Sequence, residues 1–454
     1  DVANSLRFND GSSDNLVRTN ASATNNTKYT LSAWVKRTTL GTNQSLLYNW
    51  YDGSNHAYIF FATDDKLAIY DQLSGTDNIN MKTSAVFRDV SAWYNIIVKV
   101  DTTESTQANR VRVFINGVED SIGTRSTQPG SNASLGMKTN SLSNYMAISS
   151  FVNSSSNYLD GYICEYVYID GQALAHTDLG EFDSDSPTIW KPKDVSGLTF
   201  GNNGFYLDFE DSSSLGNDAA GSNNFSVNNL TAIDQSTDTC TNNFATWNPL
   251  NRNTSMGSFH HGNLEYEVDA TFFRTAFATF GASQGKWYFE CKRVIGTSFS
   301  IGIISLDYKS RTPNVSYIGG AGDATNNIGY LKDGNTSIGG SETSGYASYG
   351  NGDTVMVAMD IDNGGVYFGV NGTWGNSGNP ESGASKTGAR SFTPSGETWT
   401  FAVSVYDSHW EANFGSPMYS ISSGNADDNG YGNFEYDVPA GFYSLCTKNL
   451  AEFG

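Results

Sequence analysis

The strongest constraint on the fold of this chain is a period of two in its apolar residues between positions 355 and 370. Two alternating runs flank the turn Asn363-Gly364-Gly365, and they consist of Val355, Val357, Met359 and Ile361, then Val366, Phe368 and Val370. Successive side chains of a strand point to opposite faces, so this pattern predicts a β-hairpin with one face in a core. The glycines supply the positive φ angles that a tight turn needs.

A second alternating region lies near the amino terminus. One face of residues 29–37 carries Tyr29, Leu31, Ala33 and Val35, and the other carries Thr30, Ser32, Trp34 and Lys36. This predicts a half-buried strand. Residues 96–100 and 111–115 predict a strand pair on the same core, and residues 434–436 and 441–446 predict a closing strand pair. Glycine is abundant at 47, proline is scarce at 9, and only residues 173–179 suggest a short helix. The predicted fold class is all-β.

Charge and cysteine content exclude several classes of function. The chain has 26 basic and 47 acidic residues, a net charge of −21, so its surface repels phosphate backbones and we expect no nucleic-acid partner. Cys164, Cys240, Cys291 and Cys446 lie far apart, which favours buried free thiols over a disulfide framework or a zinc site. No apolar run reaches the ~18 residues that span a bilayer, so no membrane insertion is expected. The amino terminus has no secretion-signal pattern, although its lack of Met leaves an earlier trimmed leader open.

Several short segments resemble known β-sandwich families. Ser5-Leu6-Arg7-Phe8, Ala33-Trp34-Val35-Lys36, Trp93-Tyr94-Asn95-Ile96, Phe114-Ile115-Asn116-Gly117 and Leu159-Asp160-Gly161-Tyr162 follow in the order of laminin-G-like jelly rolls. Gly285-Lys286-Trp287-Tyr288-Phe289-Glu290, the hairpin described above and Asn413-Phe414-Gly415 resemble a SPRY domain. The resemblance implies two concanavalin A-like β-sandwiches. These are a laminin-G-like domain over 1–182 and a SPRY-like domain with closing strands over 251–454, joined by an Asn-, Ser- and Gly-rich connector over 183–250.

Three further segments accompany the two domains: Gly204-Phe205-Tyr206-Leu207-Asp208-Phe209, Asn228-Asn229-Leu230-Thr231-Ala232 and the ending Pro439-Ala440-Gly441-Phe442. Together with the order of the domains, they resemble structural proteins of tailed phages, especially those of marine bacteria. This resemblance implies a non-enzymatic protein of the virion surface, assembled in the bacterial host cytoplasm: a tail-fibre, receptor-binding or capsid-decorating protein. The expected partners are other virion proteins and a host cell-surface glycan or receptor, and we expect a homo-oligomer, with a trimer as the working hypothesis. A purely structural decoration or assembly role is the alternative. A glycoside hydrolase on the same scaffold is a third hypothesis.

Groups suited to catalysis are sparse. Glycosidases on such scaffolds use paired carboxylates on one strand face. Residues 181–185 hold three carboxylates but end in a loop, and Glu265, Glu267 and Asp269 have better spacing. An exposed acidic strand edge is the simpler interpretation of the second set. His260 and His261 are adjacent and would point to opposite faces, which disfavours a shared metal ion. The sequence therefore predicts no catalytic residue, no metal ligand and no cofactor. A structural calcium ion is compatible with a jelly-roll rim, but no ligand set is dense enough to place it.

Ligand binding is predicted at aromatic residues near turns, because rings flanked by amides, hydroxyls and carboxylates suit sugars. The candidate contacts in such turns are Trp50, Tyr51, Asp52, Trp374 and Asn376. Two SPRY-like loops, around 308–317 and 406–410, add Asp307, Arg311, Tyr406, Asp407, His409 and Trp410. The competing interpretation is that the tryptophans cap hydrophobic cores and that the loops form a solvated rim.

Overall fold

The computed structural model describes residues 1–138, 145–250, 257–269, 273–306, 317–320 and 327–454. The chain forms two compact units, Asp1–Thr241 and Asn242–Gly454. In both, nearly all of the regular secondary structure described is β-strand, which confirms the predicted fold class.

The first unit consists of two antiparallel sheets and a separate strand pair. Its described strands are β1 (Ser5–Phe8), β2 (Asn15–Thr19), β3 (Lys28–Arg37), β4 (Gln44–Asp52), β5 (Asn55–Phe61), β6 (Leu67–Leu73), β7 (Thr76–Lys82), β8 (Trp93–Asp101), β9 (Val111–Ile115), β10 (Val118–Glu119), β11 (Thr124–Thr127), β12 (Tyr145–Ile148), β13 (Gly161–Asp170), β14 (Gly180–Phe182), β15 (Trp190–Pro192), β16 (Phe205–Leu207), β17 (Ser226–Asn228) and β18 (Gln235–Ser236). The first sheet has the order β10-β9-β8-β3-β13-β1-β18, with β16 also on β13. The second has the order β11-β7-β6-β5-β4-β12-β2-β17, and β14 pairs with β15.

One hydrophobic core joins the inner faces of these two sheets. Leu31 and Ile96 of the first sheet and Ile59 and Ile69 of the second belong to the same buried cluster. The predicted strand pair at 96–100 and 111–115 is confirmed, since β8 and β9 pair with Val98 opposite Val113. The first unit is therefore a β-sandwich.

The outer face of β3 is also buried, so the prediction of a half-buried strand is wrong there. Exposure is at most 5% at Thr30, Ser32, Trp34 and Lys36. Trp34 packs in a second apolar cluster with Trp190. Lys36 Nζ lies 2.7 Å from Asp238 Oδ2, and both side chains are enclosed. Residues far along the chain therefore cover this face.

The covering residues come from the segment predicted to be a connector, 183–250. Four short described strands lie in it, with β15 paired to β14, β16 to β13, β17 to β2 and β18 to β1. The boundary between the two units falls after Thr241 instead. Strands of two or three residues are too short to show alternation in the sequence. They were therefore not predicted within this Asn- and Ser-rich segment.

The second unit is organised around two long strands. Its described strands are β19 (Ser258–His260), β20 (Glu265–Val268), β21 (Arg274–Phe277), β22 (Lys286–Ser305), β23 (Asn327–Leu331), β24 (Thr336–Ile338), β25 (Ser341–Thr343), β26 (Thr354–Asp360), β27 (Gly365–Val370), β28 (Thr373–Trp374), β29 (Arg390–Ser391), β30 (Trp399–Asn413) and β31 (Tyr443–Ser444). β22 pairs with β26 and β31 over its first half and with β23 over its second half. β30 pairs antiparallel with β22 along most of the length of β22.

A bend in β22 lets this one sheet enclose a core. The register with β30 shifts between Arg293 and Ile295, and Gly296 has a φ of 138°. Phe289 and Ile301, on either side of the bend, belong to the same buried cluster. The predicted hairpin is confirmed here, because β26 and β27 pair and all seven of its alternating apolar residues lie in this cluster.

The carboxyl-terminal segment differs from the predicted closing strand pair. β31 pairs in parallel with β22, and Phe434 forms only an isolated bridge with Asn425. The backbone N–H groups of Glu435 and Tyr436 donate to the Glu290 carboxylate at 3.0 and 2.8 Å, so they are not available to a strand ladder. A helix, α1 (Thr447–Phe453), ends the chain.

Apart from α1, the helical segments described here are short 3₁₀ turns. They are Gln107–Asn109, Gly136–Lys138, His176–Asp178, Ala232–Asp234 and Pro380–Ser385. The helix predicted at 173–179 is thus a single 3₁₀ turn. None of the helices in the described part of the chain has the length and apolar character that crossing a membrane requires.

Candidate functional site

Trp50, Tyr51 and Asp52 lie at the end of β4, where the chain turns into β5. Tyr51 is 40% exposed and Trp50 is half-buried. Asp52 Oδ1 accepts hydrogen bonds from Ser54 N and Asn55 Nδ2, both at 2.8 Å. These two bonds hold the pKa of Asp52 below its usual value, so the carboxylate stays ionised while it stabilises the turn.

Trp50 belongs to a set of rings on the outer face of the second sheet. In β4, β5 and β6, residues that point to the core alternate with these rings, so the rings point away from the core. We call this set the aromatic face; it consists of Tyr48, Trp50, His56, Tyr58, Phe60, Tyr70 and Phe151. All but Tyr48 are half-buried, which leaves part of each of those rings accessible.

Strand register brings the rings of the aromatic face together. Tyr58 lies opposite Tyr48 on one side and opposite Tyr70 on the other. The Tyr58 and Tyr70 rings stack with centroids 4.7 Å apart. Trp50 lies opposite His56 at a ring distance of 5.3 Å. Phe151, which follows β12, stacks on Tyr48 at 4.4 Å. The result is a continuous apolar platform across three strands.

Polar groups border this platform. Tyr70 Oη donates to Asp77 Oδ1 at 2.5 Å, and Gln72 Nε2 donates to the same oxygen at 3.0 Å. Tyr48 Oη donates to Asn153 Oδ1 at 2.5 Å. Burial raises the pKa of the Tyr58 and Tyr70 phenols, so they stay protonated at neutral pH. The rim therefore combines amides, phenols and carboxylates around stacked rings.

Most of the aromatic face was not identified from the sequence, which pointed only to Trp50 and its two neighbours. A signal was present in β5, where His56, Tyr58 and Phe60 alternate with Ala57 and Ile59. Alternation alone does not say which face is open to solvent. In β3, a similar pattern has both faces covered.

Of the second predicted group, the residues from 406 to 410 lie within β30 and not in a loop. Trp410 is fully buried in the core, which removes it from the candidate ligand contacts. Strand alternation explains this, because His409 and Trp410 must point to opposite faces. Tyr406 is half-buried and Asp407 is exposed, at a positive φ of 42°. Asp307 and Arg311 lie outside the described residues.

His409 takes part in an ion-pair cluster. Its Nε2 lies 2.6 Å from Glu265 Oε1, and His261 Nε2 lies 3.4 Å from Glu265 Oε2. The hydrogen bond to Glu265 raises the pKa of His409. Burial alone would raise the pKa of Glu265, but His409 outweighs it and lowers that pKa overall. Glu265 is 7% exposed in a strand that is paired on both sides, so the interpretation as an exposed strand edge is wrong.

Trp374 and Asn376 follow the confirmed hairpin and have different environments. Trp374 is half-buried in the wall of a cavity of about 420 Å³. Asn376 is exposed and its Nδ2 donates to Gly388 O at 3.2 Å, which ties two loops together. Trp374 therefore lines a cavity of the second unit, whereas Asn376 links two of its loops.

The described residues give little support for a metal site or for a reactive cysteine. Within the described residues, no group of three or more His, Cys, Asp or Glu side chains is arranged to hold a metal ion. The cysteines are free, with Cys164, Cys291 and Cys446 buried and Cys240 half-buried. Burial raises the pKa of the three buried thiols, so they remain protonated and unreactive.

The chain is similar in part to known proteins. It resembles the SPRY domain of human HERC1 (12% identity, 37% of this chain, 96% of that chain, TM-score 0.29) and stonustoxin (13%, 37%, 27%, TM-score 0.27). It also resembles a heptameric SAP-like pentraxin from Limulus polyphemus (12%, 38%, 79%, TM-score 0.28). Among curated proteins, none matches the chain. Residues 10–178 match the sequence profile of the concanavalin A-like lectin/glucanases superfamily, so the first unit contains a concanavalin A-like domain of the laminin G type.

Proposed function

We propose that the protein binds carbohydrate through the aromatic face of its first unit, without catalysing a reaction on it. The observation that carries this proposal is the platform of stacked rings across β4, β5 and β6. The apolar C–H groups of sugars pack on aromatic rings, and here they would meet the accessible edges of the stacked rings and the accessible part of Trp50. The hydroxyl groups at the edges of a sugar need donors and acceptors, which the rim around Asp77 and Asn153 supplies.

Two further points support carbohydrate as the ligand class. The superfamily that residues 10–178 match is described by its lectins and glucanases, and lectins bind carbohydrate. The platform is built on paired strands, which hold a binding surface more rigidly than loops do. A rigid platform loses little conformational entropy when a glycan chain lies across it.

The setting that we propose is the surface of a tailed-phage particle, where this face would attach to a glycan of the bacterial host. This part rests on the resemblance in domain order noted in the sequence. Repetition of the chain in a symmetric oligomer would strengthen a weak sugar site many-fold through multivalency.

The proposal is tested by probing the purified chain with an array of bacterial capsular and lipopolysaccharide glycans. We expect at least one glycan to bind, and Trp50→Ala and Tyr58→Ala each to weaken it about tenfold through loss of one stacking contact. Phe182→Ala is the matched control, because this exposed ring lies in the same unit outside the aromatic face. Binding that survives the Trp50→Ala/Tyr58→Ala double variant, or no binding by the wild type, would refute the proposal.

A further inference from the structure

The second unit contains a cavity of about 420 Å³ whose chemistry differs from that of the aromatic face. Its apolar and aromatic lining comes from Met356, Trp374 and Tyr436, and its polar lining includes Asn425, Glu435 and Asp437. Cavities of this size hold small organic ligands. The residues come from β26, from β28 and from the carboxyl-terminal segment after β30.

The aromatic walls are fixed by packing. Trp374 packs edge-on against Tyr288 at a ring distance of 6.4 Å, and Tyr288 packs against Phe434 at 5.1 Å. Tyr436 approaches the turn after β27 so closely that a Cβ at Gly372 would lie 2.9 Å from its ring. Gly372 also has a φ of 82°, so the short distance and the backbone conformation both require glycine there. The two rings therefore form preorganised surfaces.

The charge of the cavity is negative. Glu435 and Asp437 flank Tyr436 in sequence, and none of the eight residues that line the cavity is basic. The Glu435 carboxylate accepts hydrogen bonds from the backbone N–H and the hydroxyl of Ser422, which lower its pKa and keep it ionised. Burial, followed by the charges of Glu435 and Glu290, raises the pKa of Tyr436, so this phenol stays neutral.

Several hydrogen-bond donors at the cavity are engaged within the protein. Asn425 Nδ2 donates to Glu435 O at 3.1 Å, and Asn425 N donates to Phe434 O at 2.9 Å. The backbone N–H groups of Glu435 and Tyr436 donate to Glu290. The lining combines aromatic rings with two carboxylates and contains no basic residue, and these are the groups that attract an organic cation.

We propose that this cavity binds a quaternary ammonium group, held by the ring faces of Trp374 and Tyr436 and by the negative charge of Glu435 and Asp437. Aromatic rings attract such cations through their negative faces, and desolvation strengthens the attraction. This site is independent of the proposed carbohydrate site, since it lies in the other unit and takes another class of ligand.

Calorimetric titration of the full chain with choline and with its neutral isostere 3,3-dimethyl-1-butanol tests the charge requirement. We expect choline to bind, and the isostere to bind at least about tenfold more weakly. Trp374→Leu and the double variant Glu435→Gln/Asp437→Asn should each weaken choline binding by about tenfold. Asp185→Asn, which removes an exposed carboxylate in the first unit, is the charge control and should leave choline binding unchanged.

Equal binding of choline and the isostere, or no heat from choline at millimolar concentration, would overturn the proposal. So would choline binding that the double variant leaves intact. If Trp374→Leu lowers the thermal midpoint of unfolding, the double variant decides the question, because its side chains keep their volume and lie at the surface of the cavity. These outcomes do not depend on whether the aromatic face binds glycans.

Discussion

The charged side chain of Lys36 is fully buried. Its exposure is 0%, and its partner Asp238 also accepts a hydrogen bond from Trp93 Nε1 at 2.9 Å. The two charges are 202 positions apart in the chain. A buried pair of this kind adds little net stability over apolar residues, but removing one partner leaves the other charge uncompensated.

We therefore expect Asp238→Ala to lower the free energy of unfolding of the first unit by about 3–5 kcal/mol. Urea denaturation followed by tryptophan fluorescence would measure this. Asp194→Ala, at an exposed carboxylate, is the control and should change it far less. A change of similar size in both variants would contradict the role assigned to the pair.

Among the elements, pairings between strands that are close in the chain were predicted, whereas pairings between distant strands were not. The hairpin of β26 and β27 and the pair β8 and β9 are joined by short turns or loops, so their alternation also shows which strand each pairs with. β20 lies between β19 and β30, and β30 begins more than 130 residues after it. No local pattern could show that β20 is an inner strand.

The same limit applies to the candidate site. Trp50 was identified because a tryptophan beside Asp-Gly suggests an exposed turn. The other rings were missed because their accessibility depends on which other segments of the chain pack on that part of the second sheet. Residues 183–241 cover β3 in the first sheet, and nothing in the alternation of β3 or β5 distinguishes the two cases.

The strands β16, β17 and β18 lead to a prediction about fragments. A fragment of residues 1–241 should unfold in a single cooperative transition, because it keeps these strands and Asp238. A fragment of residues 1–182 exposes Trp34, Trp93 and the charge of Lys36, so it should aggregate or bind the dye ANS strongly. Circular dichroism melts of both fragments would measure this. A cooperative melt of the shorter fragment at an unchanged midpoint would show that residues 183–241 are dispensable.

Across the whole molecule, buried carboxyl groups link stability to pH. Burial raises the pKa of Asp71 to about 6 and that of Asp160, Glu165 and Glu290 to about 7. These groups stay protonated to higher pH in the folded protein than in the unfolded chain. The folded protein thus binds more protons from about pH 4 to 7, and the stability that these groups contribute is lost as pH rises through that window.

Asp160→Asn should remove one such contribution. As the pH rises from 5 to 8, the free energy of unfolding of this variant should increase relative to that of the wild type by roughly 2 kcal/mol, because the amide never ionises. Urea denaturation at several pH values provides the measurement. Asp194→Asn should track the wild type throughout this range, and an Asp160→Asn difference that stays constant with pH would contradict the assignment.

The twenty residues of β22 belong to both halves of the bent sheet. Neither half can detach while the strand stays in place, since β26 and β31 hold one end and β23 the other. We therefore expect the backbone amides on either side of its bend, in the ladders with β26 and β23, to exchange slowly with deuterated solvent. A surface carried by this unit should then keep its shape under strain, because both halves of the sheet share one strand.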